Sequence, residues 1–570
     1  MAEKKVRKEN ELTFTAIALG VLLAVVFGAA NAYLGLRVGL TVSASVPAAV
    51  ISMGILRFVM RRDSILENNM VQTIGSAGES LAAGAIFTLP ALFLWAQERP
   101  LEFSQPGIAQ ITLVALSGGV LGVLLMVPLR RPLIVDEEKT LRYPEGCACA
   151  DVLRAGEAGA KSAGKVFAGL GAGAAAKFAA GGLKLFPESF LWPVRGLRGA
   201  MGLDISPALF GVGYMVGPKI AAVLFAGSLL GWMAVMPAIA ANLPEADVQW
   251  SAALAKEVWS KHVRYVGAGA IAMGGFLSLV RSMPLFARTF AAAPGKGGRD
   301  DGGAGRDLPL RPVLCGIACV AVFVWAAPAV PVGFAGAALI ALFGFFFAAV
   351  SARMVGLVGS SNNPVSGMTI ATLVVASLVL KATGQAGAAG MAAAIAIGSV
   401  VCIVAAIAGD TAQDLKTGRI LGATPWKQQI GELVGVAAAA AAIGGVLMLL
   451  HKAWGFGSDA IAAPQATLMK VVVEGIMDGG LPWDLLAYGA GIAAAAALCR
   501  VPVMPLAIGI YLPAGLNAAI LLGGTLKLAA DRRRARRGAD GEDGGTLFSA
   551  GLIAGEGLCG ILLAVWTLLR

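Results

Sequence analysis

The sequence predicts an all-α protein, a polytopic transmembrane helical bundle of about 14–16 helices with an internal repeat and broken helices. Three observations lead there. Of 570 residues, 57% are hydrophobic and 14% charged, whereas ordinary soluble domains are about a quarter charged. Apolar runs long enough to cross a hydrocarbon core, about 20 residues at helical rise, recur from residue 12 to the last residue. Glycine reaches 76 residues, and alanine fills whole runs such as VGVAAAAAAIGGVLMLL from Val434 to Leu450, so helices can approach closely. A lipid bilayer is therefore the solvent for most of the chain.

The first crossings fall near residues 12–32, 38–57, 70–96, 108–129, 166–186, 205–241 (two helices) and 262–281. The N-terminal MAEKKVRKEN and the apolar run ending GAANA read as an uncleaved anchor, because the run exceeds a signal-peptide core and further spans follow. Residues 1–292 form an N-terminal transmembrane half on this reading. A flexible hydrophilic loop follows at 293–310, where APGKGGRDDGGAGRD lacks apolar periodicity. Residues 311–570 form a C-terminal transmembrane half, with runs near 311–329, 333–353, 364–382, 386–408, 428–450, 484–499, 502–528 and 546–569.

The net charge of +11 comes from basic residues in short segments between apolar runs, which topology explains without a nucleic-acid partner. The basic clusters share one side, the cytoplasmic one by the positive-inside rule, until RRRARR from Arg532 to Arg537. That cluster lands on the other side unless LMKVVVEGIMD enters the membrane or the 502–528 segment turns back. Cys147 and Cys149 lack a second pair or nearby histidines, so no metal or cofactor is expected. His262 and His451 lie outside any recognisable catalytic motif, and no GxxxxGK[ST] phosphate loop occurs. No catalytic residue is expected, and the chain reads as a non-enzyme.

An internal echo points to duplication. YLGLRVGL from Tyr33 is followed 46 residues later by Glu79 in SAGESLAAG, and YLPAGLNA, from Tyr511 through Asn517, is followed 45 residues later by Glu556 in IAGEGLCG. Transporters commonly place their substrate site between such repeats.

A carboxylate at the centre of an apolar span costs about 2.5–3.5 kcal/mol on insertion scales. Glu79 is the clearest case: Gln72, Ser76 and Glu79 share one helical face and point to a substrate or proton pathway or to an interhelical clamp. Glu556 has a similar setting with fewer polar neighbours. In GLVGSSNNPVSGMT, Pro364 lacks an N–H and restricts Asn363. The interrupted backbone around Asn362, Asn363, Pro364 and Ser366 could line a cavity or be a simple turn. Asp410 and Asp414, one helical turn apart, could hold a proton or cation; a solvated loop in which they pair with Lys416 and Arg419 is the plainer reading. Glu432, entering an apolar run, is the better in-membrane candidate.

NAYLGLRVGLTVSASVPAAVISMGILR, NNMVQTIGSAGES, the loop from IVDEE through YPEG to CADVLRAGE, SSNNPVSGMT and GDTAQDLKTGRILGATPWKQQIGELVG together resemble the oligopeptide transporter (OPT) superfamily, from about residue 12 to the C-terminus. Signatures like SPYxEVR and KIPPRxMF are absent, placing the resemblance on the prokaryotic and yellow-stripe-like side. It implies proton-driven transport of short peptides or of metal complexes of peptide-like chelators. The matching positions nominate Glu79, Asn362, Asn363, Pro364 and Asp410 for the pathway. The expected mechanism is alternating access between two related halves, with Glu79 exchanging a proton. The expected partners are a peptide or metal-chelate substrate, protons and the bilayer, with a homo-oligomer left open; the expected location is a bacterial inner membrane. A passive channel is the alternative, and an ion-pumping pyrophosphatase a remoter one for want of clustered acidic residues.

Overall fold

The computed structural model describes residues 11–569 except 40, 42–44, 63, 140, 158–160, 242–249, 272, 275–276, 278–304, 329, 361–362, 364, 480–481 and 538–543. Helix α1 (Phe14–Val38) starts where the Thr13 hydroxyl accepts from Ala16 N at 3.0 Å, and stops at Gly39, whose left-handed φ of 75° ends the turn. After α2 (Ser45–Gly54), α3 (Ile65–Ile86) opens on Ser64, which accepts from Glu67 N. That is the hydroxyl half of a capping box. Helices α4 (Pro90–Glu98) and α5 (Ile108–Arg130) complete this group; α6 (Pro144–Glu157) and α7 (Lys161–Lys177) follow.

An antiparallel hairpin, β1 (Ser189–Val194) and β2 (Gly199–Asp204), pairs Ser189 with Asp204 in the stretch between the expected crossings at 166–186 and 205–241. It leads into α8 (Pro207–Leu230), where the predicted pair of helices is a run broken at Gly217, φ 84°. Next come α9 (Met236–Ala240), α10 (Ala252–Val258) and α11 (264–271). The later elements are α12 (Leu310–Ala326), α13 (Gly333–Val358), α14 (Val365–Ala382), α15 (Gly387–Leu421), α16 (Pro425–Trp454) and α17 (Pro464–Met477). Last are α18 (Trp483–Leu498), α19 (Val503–Tyr511), α20 (Ala514–Arg537) and α21 (Gly544–Leu569).

Among the described residues, 8 helical runs are long and apolar enough to cross a membrane. The protein is thus an all-α polytopic bundle, and shorter or interrupted helices fill it out. Helix α15 runs through the centre against α3, α5, α13 and α14, while α8 packs with α19, α20 and α21. Between these groups stands α1, which touches α3, α16 and α21. Glycine lets α1 and α3 touch: a Cβ on Gly78 would lie 2.2 Å from the Ala24 carbonyl oxygen.

Two segments left open by the charge pattern take definite form. LMKVVVEGIMD lies in α17, whose face toward α4 and α14 is buried, and the 502–528 run is interrupted between α19 and α20. The end of the hydrophilic loop is held in place: Asp307 accepts from Gln429 Nε2 at 2.7 Å and from Arg130, and Leu308 N donates to Gln429. Residues 293–304 of that loop lie outside the described residues.

Candidate functional site

The two echoed motifs both sit where helices break. YLGLRVGL is the last part of α1, and YLPAGLNA spans the interruption from α19 to α20. At the end of α1, Arg37 reaches Glu556 Oε1 at 3.1 Å and Asp204 Oδ2 at 3.3 Å, with all three side chains nearly excluded from solvent. Charges placed there must be paired, because a buried ion without a partner is far costlier than the pair. Glu556 also accepts from the Ser206 hydroxyl at 2.7 Å and from Ala208 N at 2.8 Å. It therefore occupies the N-terminal end of α8, where backbone N–H groups favour an anion. Asp204 lies against the first turn of α20: a Cβ on Gly515 would fall 2.1 Å from its Oδ1.

A second set of contacts ties the breaks together. The Tyr511 hydroxyl accepts from Arg264 Nε at 2.7 Å and donates to Ala462 O at 3.4 Å, and Tyr511 O accepts from Trp259 Nε1. Arg264 also donates to the carbonyls of Gly457 and Ala462 and to the Thr467 hydroxyl. Ala463 N donates to Leu36 O at 2.8 Å, so the connection between α16 and α17 touches both echoed motifs. Asn517 Nδ2 donates to Gly509 O across the same interruption. Interrupted backbone inside the bundle exposes amides, carbonyls and charged side chains that can hold the ends of a polar solute.

Acidic residues gather one layer away, where α3, α15 and α16 meet. Gln72 Nε2 donates to Asp414 Oδ1 at 2.5 Å, and the Ser76 hydroxyl bonds Asp414 Oδ2. Gln428 Nε2 donates to Asp414 O at 2.9 Å and to the Thr73 hydroxyl at 3.2 Å. Asp410, Asp414 and Glu432 are buried and close enough to repel one another, and none forms an ion pair with a described basic residue. Glu79 turns toward α1, where Asn31 Nδ2 donates to its Oε1 at 2.8 Å. Helix α1 thus carries a contact to each carboxylate of the echo, Asn31 to Glu79 and Arg37 to Glu556.

The solvated-loop reading of Asp410 and Asp414 is overturned. Both lie within α15, which continues past the apolar run because Gln72, Ser76 and Gln428 satisfy its polar groups. Lys416 and Arg419 pair instead with Glu138, at 2.7 and 3.0 Å. The two cations hold the Glu138 carboxyl below its ordinary range. Gln72 and Ser76 do share a face, and it is Asp414 they meet. The interruption at GSSNN is real: α13 ends before Gly359, φ 85°, and Asn363 Nδ2 donates to the Ser351 hydroxyl at 2.7 Å. Ser366 begins α14, buried; Asn362 and Pro364 lie outside the described residues. This break packs on α15 through Ser351, which bonds Ala405 O.

Sequence reasoning passed over Asn31, Arg37, Asp204, Ser206 and Arg264. Arg37 carried a usable signal, a charge inside an apolar run, to which the cost applied to Glu79 applies equally. Asp204 did not, because nothing local distinguishes it from a surface aspartate.

Residues 11–567 match the model of a family described as OPT oligopeptide transporter protein. A Haemophilus influenzae protein named for oligopeptide transport is 36% identical, with 93% of this chain and 92% of that one covered. An Oryza sativa subsp. japonica protein named for metal-nicotianamine transport is 26% identical over 41% of this chain and 39% of its own.

Proposed function

Because this chain belongs to the OPT oligopeptide transporter family, we propose that it is a secondary active, proton-coupled transporter of short peptides or peptide-like metal chelates in a bacterial cytoplasmic membrane. Substrate binds where the broken ends of α1, α19 and α20 converge, between halves 1–292 and 311–570. The observation that carries this reading is the contact of Arg37, at the end of α1, with Asp204 and Glu556, which lie against the first turns of α20 and α8. Helix ends and paired charges suit a solute with an ammonium and a carboxylate, as peptides and amino-acid-derived chelators have. Glu79 carries the proton. Its Oε1 accepts from the neutral Asn31 Nδ2, and gain or loss of a proton there changes what α1 and α3 offer each other. Peptide is the first substrate class to test, because the relative named for oligopeptide transport covers nearly the whole chain.

The test is uptake into proteoliposomes of a pooled di- to pentapeptide library and, separately, of an iron or nickel chelate, with and without an inward proton gradient. Gradient-dependent accumulation of either pool supports the reading and selects the substrate class. Equilibration indifferent to the gradient favours a channel.

A further inference from the structure

The arginine cluster RRRARR closes α20, and helix packing fixes the end of the bundle at which it stands. Helices α7 and α21 run side by side in the same direction: a Cβ on Gly169 would lie 2.1 Å from Phe548 O, and one on Gly173 2.3 Å from Leu552 O. Both begin at one end, where a Cβ on Gly544 would lie 2.5 Å from Lys165 Nζ. Residues 158–160 alone separate α7 from α6, and α6 is bonded to the last turns of α15 by Arg154 to Ile420 O at 2.6 Å and by the Thr417 hydroxyl to Gly146 O at 3.0 Å. Residues 538–543 alone separate α20 from α21. The arginines therefore share the end of the bundle that carries Lys416 and Arg419, which is the cytoplasmic end by the positive-inside rule.

Topology alone asks only for basic residues at that end, not for a particular face. On α20 the exposed positions Leu522, Leu526, Ala529, Arg533 and Arg536 fall in one stripe at helical spacing. Leu522 and Leu526 are each 49% exposed. The opposite face packs on α8: a Cβ on Gly523 would lie 2.0 Å from Phe210 O, and Lys527 Nζ stands 5.2 Å from the centre of the Tyr214 ring. The stripe thus looks away from the bundle, toward lipid where it is leucine. At 1.5 Å per residue, Arg533 and Arg536 stand about 10 and 15 Å beyond Leu526 along the helix. A headgroup layer is about 5–8 Å deep on each side of the hydrocarbon, so a stripe that meets acyl chains as leucine meets phosphates as arginine. Lys527 is paired with Asp531 at 3.1 Å, whereas Arg532, Arg533 and Arg536 are exposed and form no ion pair with a described acidic residue. Asp540, Glu542 and Asp543, which follow, lie outside the described residues. A guanidinium offers paired N–H donors that match the oxygens of a phosphate.

We infer that Arg532, Arg533 and Arg536 form a docking surface for the phosphate headgroups of anionic phospholipids in the leaflet at the Lys416 end of the bundle. Lys165 and Lys219 flank it: both are exposed, the first beside Gly544 and the second next to Pro218, which a Cβ on Gly524 would approach to 3.3 Å. The surface does not depend on which solute is carried. Lipid held there fixes the far end of α20, the helix whose first turn lies against Asp204.

The test titrates purified full-length protein in a neutral detergent with phosphatidylglycerol and with phosphatidylcholine, each fluorescently labelled on the acyl chain so that the headgroup is unmodified. Saturable binding is expected, with phosphatidylglycerol preferred about tenfold or more and the preference shrinking as sodium chloride is raised. The triple variant Arg532→Gln, Arg533→Gln, Arg536→Gln should bind the two lipids alike while unfolding at the parent temperature in phosphatidylcholine. Should it fail to fold, the salt dependence and the lipid preference of the parent protein decide. Equal binding of both lipids by the parent protein overturns the inference, as does a phosphatidylglycerol preference that survives the triple substitution. Displacement by inorganic phosphate at concentrations equal to the lipid would mean a free-anion site instead. A preference that emerges only in Asp540→Asn, Glu542→Gln, Asp543→Asn would mean that the arginines are neutralised by the chain itself, and also overturns it.

Discussion

Arg37 and Glu556 are 519 positions apart in sequence, yet their charged ends meet at 3.1 Å inside the bundle. The contact joins the end of α1 to α21, and through Ser206 and Ala208 it extends to α8. Removing one member of such a buried pair strands the other, at a cost of about 3–5 kcal/mol. Arg37→Met and Glu556→Met should each lower the thermal unfolding temperature of purified protein sharply. The double variant should lose less than the two single losses added together. Additive losses would mean that the two side chains are not energetically coupled.

Close approach of α1 and α3 sets up the bond between Asn31 and Glu79. A methyl group at Gly78 would meet the Ala24 backbone, whereas one at Gly445 in α16 would meet nothing within 4 Å. Gly78→Ala should therefore cost roughly 1–3 kcal/mol, as overpacking does, and should reduce uptake by moving Glu79 off Asn31. Gly445→Ala should be neutral or gain up to about 1 kcal/mol from helix propensity. Thermal unfolding of both variants beside the parent protein checks the contrast, and equal losses would count against it.

Glu138 anchors the segment ahead of α6 to the end of α15 through Lys416 and Arg419. Its carboxyl is held below the ordinary range by those cations, so the folded state binds its proton less readily than the unfolded chain. The contribution is fully present above the ordinary glutamate value, about 4.3, and is lost as pH falls through the lowered folded value. Hydrogen exchange in residues 134–157 should be protected alike at neutral and mildly acidic pH and should rise under strong acid. In Glu138→Gln the neutral-pH protection should already be reduced.

Much of the fold was legible because lipid imposes a simple rule: a segment that satisfies its own backbone and presents apolar side chains becomes a helix. The runs at 108–129, 333–353 and 428–450 correspond to α5, α13 and α16 for that reason. Prediction failed where polar residues find partners distant in sequence. Helix α15 continues through Asp410 and Asp414 because Gln72 and Ser76, more than 300 residues earlier, bond to it. The β1–β2 hairpin has no strong alternation to announce it, and its value lies in carrying Asp204 to Arg37. Glu79, Glu556 and Tyr511 could be singled out as polar groups in apolar surroundings. Their partners Asn31, Ser206 and Arg264 became visible only when the helices were packed.

The account rests most directly on Glu79, and Glu79→Gln tests it in proteoliposomes by comparing gradient-driven uptake with substrate exchange at equal pH across the membrane. The variant is expected to lose accumulation driven by an inward proton gradient while still exchanging labelled for unlabelled substrate, because the proposed function assigns solute binding to the Arg37 group and proton transfer to Glu79. Gradient-driven accumulation at the parent rate, with unchanged pH dependence, would contradict the account.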